Sequence, residues 1–143
     1  IDKAEAVGIG MVSVEKINDW GIATANRWAI QKALDNLTIT PDFVLIDCIK
    51  IDGLGSPSMS IPQGDSQCYS IAAASIIAKV TRDRLMVKLS RDYPEYDFKN
   101  NKGYGTFRHQ KAVEKHGYSS LHRQDFNFQG FNISNEKLNF SSR

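Results

Sequence analysis

The alternation of apolar and polar positions in the first third of the chain predicts a strand, a helix and a second strand. Residues 7–14 (VGIGMVSV) are mostly apolar or β-branched, which is typical of a buried strand. Residues 23–37 place apolar side chains three and four positions apart, which predicts a helix with one apolar face. Residues 43–49 (FVLIDCI) form a nearly continuous apolar run, as expected for a strand covered on both faces of an α/β sheet.

Turn residues separate this strand from the helical second half of the chain. Gly, Ser and Pro at 53–57 predict a turn, and a weaker strand is expected at about 59–63. Residues 64–66 (GDS) are expected to open a helix, with Asp65 or Ser66 as its cap.

Two helices are predicted in the second half of the chain. The helical pattern from 67 to about 93 is uniformly apolar in its first half, which we therefore expect to be buried. A shorter helix over 107–116 is closed by Gly117. After Arg123 the chain is polar and irregular, and we expect a mobile tail. This order of strands and helices predicts an α/β fold, with a mixed sheet and helices packed on it.

The composition is that of one globular domain. The 143 residues are 41% hydrophobic and 24% charged, and no apolar run is long enough to span a bilayer. We expect no membrane association and, because no signal peptide is recognisable, a cytoplasmic location. Cys48 and Cys68 lack zinc-site spacing and are expected to be reduced, although a disulfide between them stays open. Because residue 1 is Ile rather than Met, we expect a processed chain, an excised one or part of a longer product.

Positive charge is concentrated in residues 79–123. This stretch holds eleven Lys and Arg against five Asp and Glu, a net charge of +6, together with all three His. The remainder of the chain has seven against eleven, a net charge of −4. One basic half favours a polyanionic partner such as nucleic acid, and the alternative is an ordinary solvated face.

Two carboxylates have contexts that suggest chemistry. Asp47 stands within the apolar run 43–49, near the carboxyl end of a predicted strand, where α/β sheets place ligand sites. Because an unpaired buried carboxylate is costly, we expect Asp47 to be paired or metal-bound. Asp83 continues the helical stripe that passes through Ile76 and Lys79. Convergence of the two would make a Mg²⁺ or Mn²⁺ site, since hard cations prefer oxygen ligands. The alternatives are a turn-capping role for Asp47 and a surface salt bridge to Lys79 for Asp83.

The segment 100–109 (NNKGYGTFRH) combines two glycines with basic and aromatic residues. Glycine lets the backbone approach a ligand closely, and Tyr104 could stack on a sugar or base. Lys102 and Arg108 could contact phosphates. The alternative is an ordinary basic loop before a helix.

Three blocks of the sequence together resemble the second half of ribonuclease HII: DSQCYSIAAASIIAKVTRDRLM, DYPEYDF and NKGYGTFRHQKAVEKHGYSSLHR. FVLID, with Asp47, is similar to the strand that carries the third acidic residue of that family. VTRDR, with Asp83, is similar to the segment that carries the fourth. EKINDWGIATANRWAIQKAL resembles the helical region that connects the first strands of the family to that strand. The likeness runs from about Val7 to Arg123.

The resemblance implies a ribonuclease H-like fold, a mixed sheet flanked by helices. It implies a partial catalytic domain over 1–123, followed by a tail at 124–143, and we expect a monomer. The activity would be endonucleolytic cutting of the RNA strand in RNA–DNA hybrids, and at single ribonucleotides in duplex DNA, by a two-metal mechanism with Mg²⁺ or Mn²⁺. Asp47 and Asp83 would be catalytic metal ligands, and Tyr104 would sense the junction between ribose and deoxyribose. The residues expected to bind substrate are Tyr104, Lys79, Lys102, Arg108, His109 and Arg123.

The chain departs from the family pattern at its start and at two other positions. The first strand of the family carries an Asp-Glu-Ala-Gly-Arg-Gly motif, which provides two acidic ligands and is absent here. Asp2 and Glu5 have the wrong spacing and neighbours to replace it. The fold is therefore expected to be incomplete at its N-terminus, and this chain to be inactive alone. Cys48 stands where the family usually has Gly, and Gln63 stands where Lys is common.

Two other functions stay open. A non-catalytic nucleic-acid binding module could keep the basic loop without a full set of metal ligands, and another α/β metal nuclease could share the fold. An acidic motif encoded upstream would favour the enzyme. A native chain that starts near Ile1 would favour the binding module.

Overall fold

The computed structural model describes residues 4–124, and its regular elements are six α-helices, two strands and one 3-10 turn. In chain order they are α1 (Val14–Trp20), α2 (Ile22–Asp35), β1 (Val44–Asp47), β2 (Ser58–Ile61), α3 (Gly64–Gln67), α4 (Tyr69–Leu89), the 3-10 turn (Pro94–Tyr96), α5 (Phe98–Asn101) and α6 (Phe107–His116). The chain divides into two compact units, Ile1–Lys79 and Val80–Arg143, and the division falls within α4.

The sheet of the first unit consists of β1 and β2, which lie side by side and parallel, with Asp47 opposite Ile61. The ten residues between the strands are few for a parallel connection, and they suffice because each strand has only four residues. Backbone hydrogen bonds extend the ladder at both ends, from the Val44 N–H to the Pro57 carbonyl (2.9 Å) and from the Cys48 N–H to the Ile61 carbonyl (3.0 Å).

Helix α2 contributes to the core of the first unit through the apolar face that its sequence predicts. Ile30 and Leu34 pack against a buried cluster of Ile46, Ile51 and Leu54. Full burial of such a side chain stabilises a fold by about 1.5–3 kcal/mol. The cluster therefore fixes β1 and the turn after it against α2.

Most of the predicted elements are confirmed, with ends that differ by a few residues. The helix predicted over 23–37 is α2, and the helix predicted over 107–116 is α6. The strands predicted over 43–49 and 59–63 are β1 and β2, both shorter than the apolar runs that indicated them. The α/β class is confirmed.

The prediction of a strand over 7–14 is wrong. This segment lies close against α2, where a Cβ on Gly8 would be 2.0 Å from the Ala33 carbonyl oxygen and a Cβ on Gly10 would be 1.8 Å from that of Ala29. In the part of the chain that the structure describes, the one sheet contains β1 and β2 alone. The segment therefore contacts α2 through its glycines, whereas Val7, Ile9 and Met11 are exposed.

The expected burial of the first half of α4 is also wrong. All of α4 lies within the described residues, and Ile71 is its one buried side chain. Tyr69 is 96% exposed and Ile76 is 63% exposed. A uniformly apolar helix is expected to be buried by other parts of the protein. Within residues 4–124, no segment buries most of the apolar side chains in the first half of α4.

The entry to the long helix differs from the prediction as well. Helix α3 begins at Gly64 with Gln63 in the capping position, so neither Asp65 nor Ser66 is its cap. Cys68 is extended, with φ of −132°, and separates α3 from α4. The continuous helical pattern from residue 67 onward concealed this break.

The core of the second unit is aromatic. The rings of Tyr96 and Phe98 stack with 5.5 Å between their centroids, and Val113 of α6 completes the buried cluster. Helix α6 begins after Thr106, whose side chain caps the first turn, and ends at Gly117, whose φ is 79°. The partly buried residues packed around the cluster are Met86, Tyr93, Ala112, Tyr118 and Leu121.

The predicted tail at 124–143 lies outside the described residues, apart from Gln124. Among the helices that the structure describes, none is both long enough and apolar enough to cross a membrane.

Candidate active site

Asp47 is held at the carboxyl end of β1 by the start of α3. Its Oδ1 accepts a hydrogen bond from the Gly64 N–H at 2.8 Å. Gly64 is buried, and a Cβ there would lie 2.5 Å from the Ile71 Cδ1 atom, so glycine permits this close approach. The side chain of Asp47 is half-buried rather than enclosed. The donor lies seventeen residues further along the chain, so this bond is a tertiary contact that fixes the carboxylate and uses one of its two oxygens.

The backbone reverses on both sides of this contact. Cys48 has φ of 62° and Gln63 has φ of 52°. These values lie in the left-handed region, which residues other than glycine seldom adopt. These are the two positions, after Asp47 and before Gly64, at which the resemblance led us to expect a departure from the family pattern. Cys48 and Cys68 are both free thiols, and Cys48 is exposed while Cys68 is half-buried.

Asp83, the second predicted ligand, lies on α4 in the second unit. It is half-buried, and its Oδ1 atom is shielded from solvent. Asp47 belongs to the first unit. Their sharing of one cation site stays a prediction.

The donor chemistry of the predicted ligands fits a hard cation. Carboxylate oxygens are the ligands that Mg²⁺ and Mn²⁺ prefer. Between residues 4 and 124, no group of three or more His, Cys, Asp and Glu side chains converges as a complete metal site would require. Asp47 and Asp83 therefore fit such a site in donor type, as part of a larger ligand set.

Tyr104 combines a fixed backbone with an exposed ring. Its N–H donates to the Asn101 carbonyl at 2.8 Å, and its carbonyl accepts the Thr106 N–H at 2.8 Å. The carbonyl also lies 2.9 Å from the Nδ1 atom of His109. The residue is 54% exposed, and the Arg82 guanidinium stands 4.6 Å from the ring centroid, within the range of a cation–π contact. The ring is thus exposed to solvent on a loop whose backbone is held by hydrogen bonds.

The other predicted substrate-binding residues occupy different environments. Lys79 on α4 and Arg108 on α6 are exposed, and Arg108 lines an open depression that includes Asp97. Lys102 and Arg123 are half-buried, and the Lys102 ammonium donates to the Lys99 carbonyl. Lys79 and Arg108 are thus more accessible to a phosphate than Lys102 and Arg123 are. Arg108 shares its depression with the carboxylate of Asp97.

His109 belongs to the core, unlike the other five. It is 3% exposed, and both of its ring nitrogens lie within hydrogen-bond distance of other groups, Nδ1 of the Tyr104 carbonyl and Nε2 of the His122 Nε2 atom. Burial, followed by the charge of His109, lowers the pKa of His122 to about 4. His109 therefore supports the Tyr104 loop from inside the protein.

Sequence reasoning missed three contributors to these contacts. Gly64 was seen only as a helix entry, Arg82 only as a charge, and His122 only as one of three His in the basic stretch. No local pattern marks them, because each meets its partner through folding rather than through helical or strand spacing.

The sequence model of ribonuclease HII matches residues 1–129 of the 143-residue chain. The chain belongs to the ribonuclease HII family. It is 44% identical over 126 residues to ribonuclease HII of Dehalococcoides mccartyi, covering 88% of this chain and 59% of that protein. It is 47% identical over 126 residues to ribonuclease HII of Clostridioides difficile, covering 87% of this chain and 49% of that protein. This member of the family thus spans about half the length of the curated relatives it matches.

The fold is similar to that of one solved structure. The crystal structure of ribonuclease H2 from Pyrococcus horikoshii OT3 superposes with a TM-score of 0.65 at 22% sequence identity. The match covers 80% of this chain and 62% of that one. The predicted ribonuclease H-like fold is therefore confirmed for the portion of the ribonuclease HII domain that the chain contains.

Proposed function

We propose that this chain supplies part of the catalytic domain of a divalent-metal-dependent endoribonuclease. The enzyme would hydrolyse the RNA strand of RNA–DNA hybrids and cut at single ribonucleotides in duplex DNA. The observation that carries this proposal is the family match over residues 1–129, which includes both Asp47 and Asp83.

In this function, Asp47 and Asp83 would hold Mg²⁺ or Mn²⁺ together with further acidic ligands. Bound divalent cations supply Lewis acidity at the scissile phosphate and neutralise the charge that develops there. The contribution of the chain is to orient the carboxylates in advance. The hydrogen bond from the Gly64 N–H holds Asp47 in place, as outer partners of metal ligands commonly do.

Tyr104 would read the nucleic acid beside the cut. Arg82 covers one side of its ring, and stacking of such a ring on a sugar or base needs only one free face. His109 would act through the Tyr104 loop rather than by touching the substrate, because it is buried. The residues proposed to contact phosphates are Lys79, Lys102, Arg108 and Arg123.

The wider organisation is proposed on the same basis. Residues 1–123 would be part of the catalytic domain and 124–143 a tail. The enzyme would be a cytoplasmic monomer.

The Asp47→Asn substitution tests the proposal, made in the protein as its gene encodes it. Asparagine keeps the size of the side chain and an oxygen for the Gly64 N–H, but loses the charge that a cation needs. We expect incision of a duplex with one embedded ribonucleotide to fall by about a hundredfold or more, with little loss of hybrid binding. The measurement is the initial rate of incision in Mg²⁺ and in Mn²⁺.

Asp52→Asn is the matched control, because the Asp52 side chain is 88% exposed and lies in the turn after β1. It should cut at the unsubstituted rate. Undiminished cutting by Asp47→Asn would remove Asp47 from the site. Hybrid binding without any cutting by the unsubstituted protein would favour the non-catalytic binding module.

A further inference from the structure

Two histidines of the second unit form a chain of hydrogen bonds that ends on the Tyr104 backbone. His109 Nδ1 lies 2.9 Å from the Tyr104 carbonyl oxygen, and His109 Nε2 lies 3.0 Å from His122 Nε2. At the other end, His122 Nδ1 is 3.0 Å from the Ser119 amide nitrogen and 2.8 Å from the Ser119 hydroxyl oxygen. Two rings thus connect the segment after α6 to the Tyr104 loop.

The groups at the two ends leave one arrangement of protons for two neutral rings. A carbonyl oxygen only accepts, so His109 must carry its proton on Nδ1 and offer Nε2 as an acceptor. An amide N–H only donates, so the Nδ1 of His122 must accept from Ser119 and its proton must lie on Nε2. The His122 Nε2–H then donates to His109 Nε2, so every donor in this series of hydrogen bonds faces an acceptor.

Protonation of either ring would remove hydrogen bonds from this series. A proton added to His109 Nε2 would point at the His122 Nε2–H, and one added to His122 Nδ1 would exclude the Ser119 N–H and leave the Ser119 hydroxyl oxygen as its acceptor. Both rings also pack against Tyr96 and Phe98, with ring centroids 4.9 to 6.5 Å apart, so a charge there would be poorly solvated.

Other ionisable groups surround the pair. Tyr118 packs on His122 with ring centroids 5.4 Å apart. The rings of Tyr96 and His116 also contact each other, with centroids 6.4 Å apart. Glu95 and Tyr93 act on Tyr96, whose own pKa is raised, mainly by burial. The pKa values of Tyr96 and Tyr118 are both raised, so these two side chains supply no negative charge that would stabilise a protonated imidazole.

We propose that His109 and His122 are positioning residues that hold Tyr104. They do so through these two hydrogen-bonded imidazole rings, each in one fixed tautomer, which we call the relay. The carbonyl of Tyr104 is held by His109 and by the Thr106 N–H, and its N–H is held by Asn101, so the backbone is fixed on both sides. The exposed ring is thereby offered to a partner in one orientation. The consequence for cleavage rests on the proposed function, whereas the relay itself does not.

Imidazole ¹⁵N NMR of the protein at pH 7 tests the relay without substrate. We expect His122 to be protonated on Nε2 alone and His109 on Nδ1 alone. The exposed His116 should exchange between both tautomers and serves as the internal reference. His122→Gln keeps an N–H donor for His109 Nε2 and should leave the His109 tautomer unchanged. The opposite tautomer at either site, or averaging like that of His116, would overturn the relay.

Cleavage at a single embedded ribonucleotide tests the positioning role. His109→Asn places an amide N–H where Nδ1–H stands and keeps the donor to the Tyr104 carbonyl, whereas His109→Gln loses it. We expect kcat of the Gln variant to be about tenfold below that of the Asn variant, because a displaced reading group misaligns the substrate. His116→Gln should cut at the unsubstituted rate. In the Tyr104→Ala background the difference between the two His109 variants should vanish.

The outcomes separate the relay from the proposed function. Equal rates for two folded His109 variants, or a difference that persists in the Tyr104→Ala background, would overturn the positioning role. If neither variant folds, the NMR measurement on the unsubstituted protein decides. If Tyr104→Ala alone leaves cleavage unchanged, the proposed reading role of Tyr104 fails, and the NMR measurement still decides the relay.

Discussion

The reversal of the backbone directly after Asp47 sets the direction of its carboxylate. Cys48, with φ of 62°, turns the chain out of β1, and Gln63, with φ of 52°, turns it into α3. The two turns bring the Gly64 N–H to the Asp47 Oδ1. Glycine, the residue that the family resemblance leads us to expect at position 48, would adopt this positive φ without strain.

Cys48→Gly should therefore stabilise the protein. Relief of left-handed strain at a residue with a Cβ is worth about 1–2 kcal/mol, and the greater freedom of glycine in the unfolded chain offsets about half of it. We expect the free energy of unfolding, measured in urea, to rise by about 0.5–1 kcal/mol.

Cys68→Gly is the matched control, because Cys68 is extended and gains nothing from glycine. It should lower the free energy of unfolding by about 0.5–1 kcal/mol. Destabilisation by Cys48→Gly of the same size as at Cys68 would show that the left-handed backbone carries no strain.

Tyr104→Ala should reduce incision at single embedded ribonucleotides by about tenfold, because stacking on an aromatic ring is worth about 1–3 kcal/mol. Tyr104→Phe keeps the ring and its contact with Arg82, so it should retain most of the rate. The measurement is kcat/KM on a duplex with one ribonucleotide. An unchanged rate for Tyr104→Ala would contradict the reading role.

At the scale of elements, the sequence correctly predicts the buried face of a helix when that face packs against residues of the same unit. Helix α2 meets the cluster around Ile46 through the spacing that its sequence shows, and α6 meets the aromatic rings of Tyr96 and Phe98 through its own Val113. Periodicity gives the face of a helix, and the neighbouring element provides the cover. These elements also have clear ends, such as Gly117, which limit their length.

The two wrong predictions have a common physical cause. Residues 7–14 and the first half of α4 are apolar, and apolar sequence indicates a need for burial without naming the partner. The first packs its glycines on α2, and the second leaves Ile76 exposed. The candidate site shows the same limit, since context pointed to Asp47 and Tyr104 while their partners Gly64 and His109 are set by tertiary contacts.

The His122 segment should make stability depend on pH. The pKa of His122 is lowered to about 4 by burial and by His109, whereas the unfolded chain has the ordinary value of 6.5. As the pH falls from 6.5 to 4, the unfolded state takes up a proton first, so the folded state loses stability in that window and is unaffected above it. Allowing for solvent screening, we expect a loss of about 2 kcal/mol.

Urea unfolding at pH 7 and pH 4.5 measures this loss. His122→Gln cannot take up the proton and should lose about 2 kcal/mol less between the two pH values than the unsubstituted protein. His116→Gln, at an exposed site, should behave like the unsubstituted protein. Identical pH dependence of all three would rule out His122 as the source.

At the scale of the whole molecule, the proposed activity requires both units. Asp47 belongs to the first unit, whereas Asp83, Tyr104 and most of the basic residues belong to the second. Composition predicted the basic half, and the prediction that Asp47 and Asp83 act together comes from the family resemblance. Charge and periodicity alone left open a surface salt bridge for Asp83, because spacing along one helix says nothing about a residue thirty-six positions earlier.

The central claim is that Asp47 and Asp83 bind the same divalent cations. A Mn²⁺ titration followed by electron paramagnetic resonance tests it, on the protein as its gene encodes it and on Asp47→Asn, Asp83→Asn and the double variant. We expect each single substitution to weaken Mn²⁺ binding by about tenfold or more, and the double variant to lose less free energy than the two losses combined. Full affinity in Asp83→Asn, or losses that simply add, would contradict a shared site.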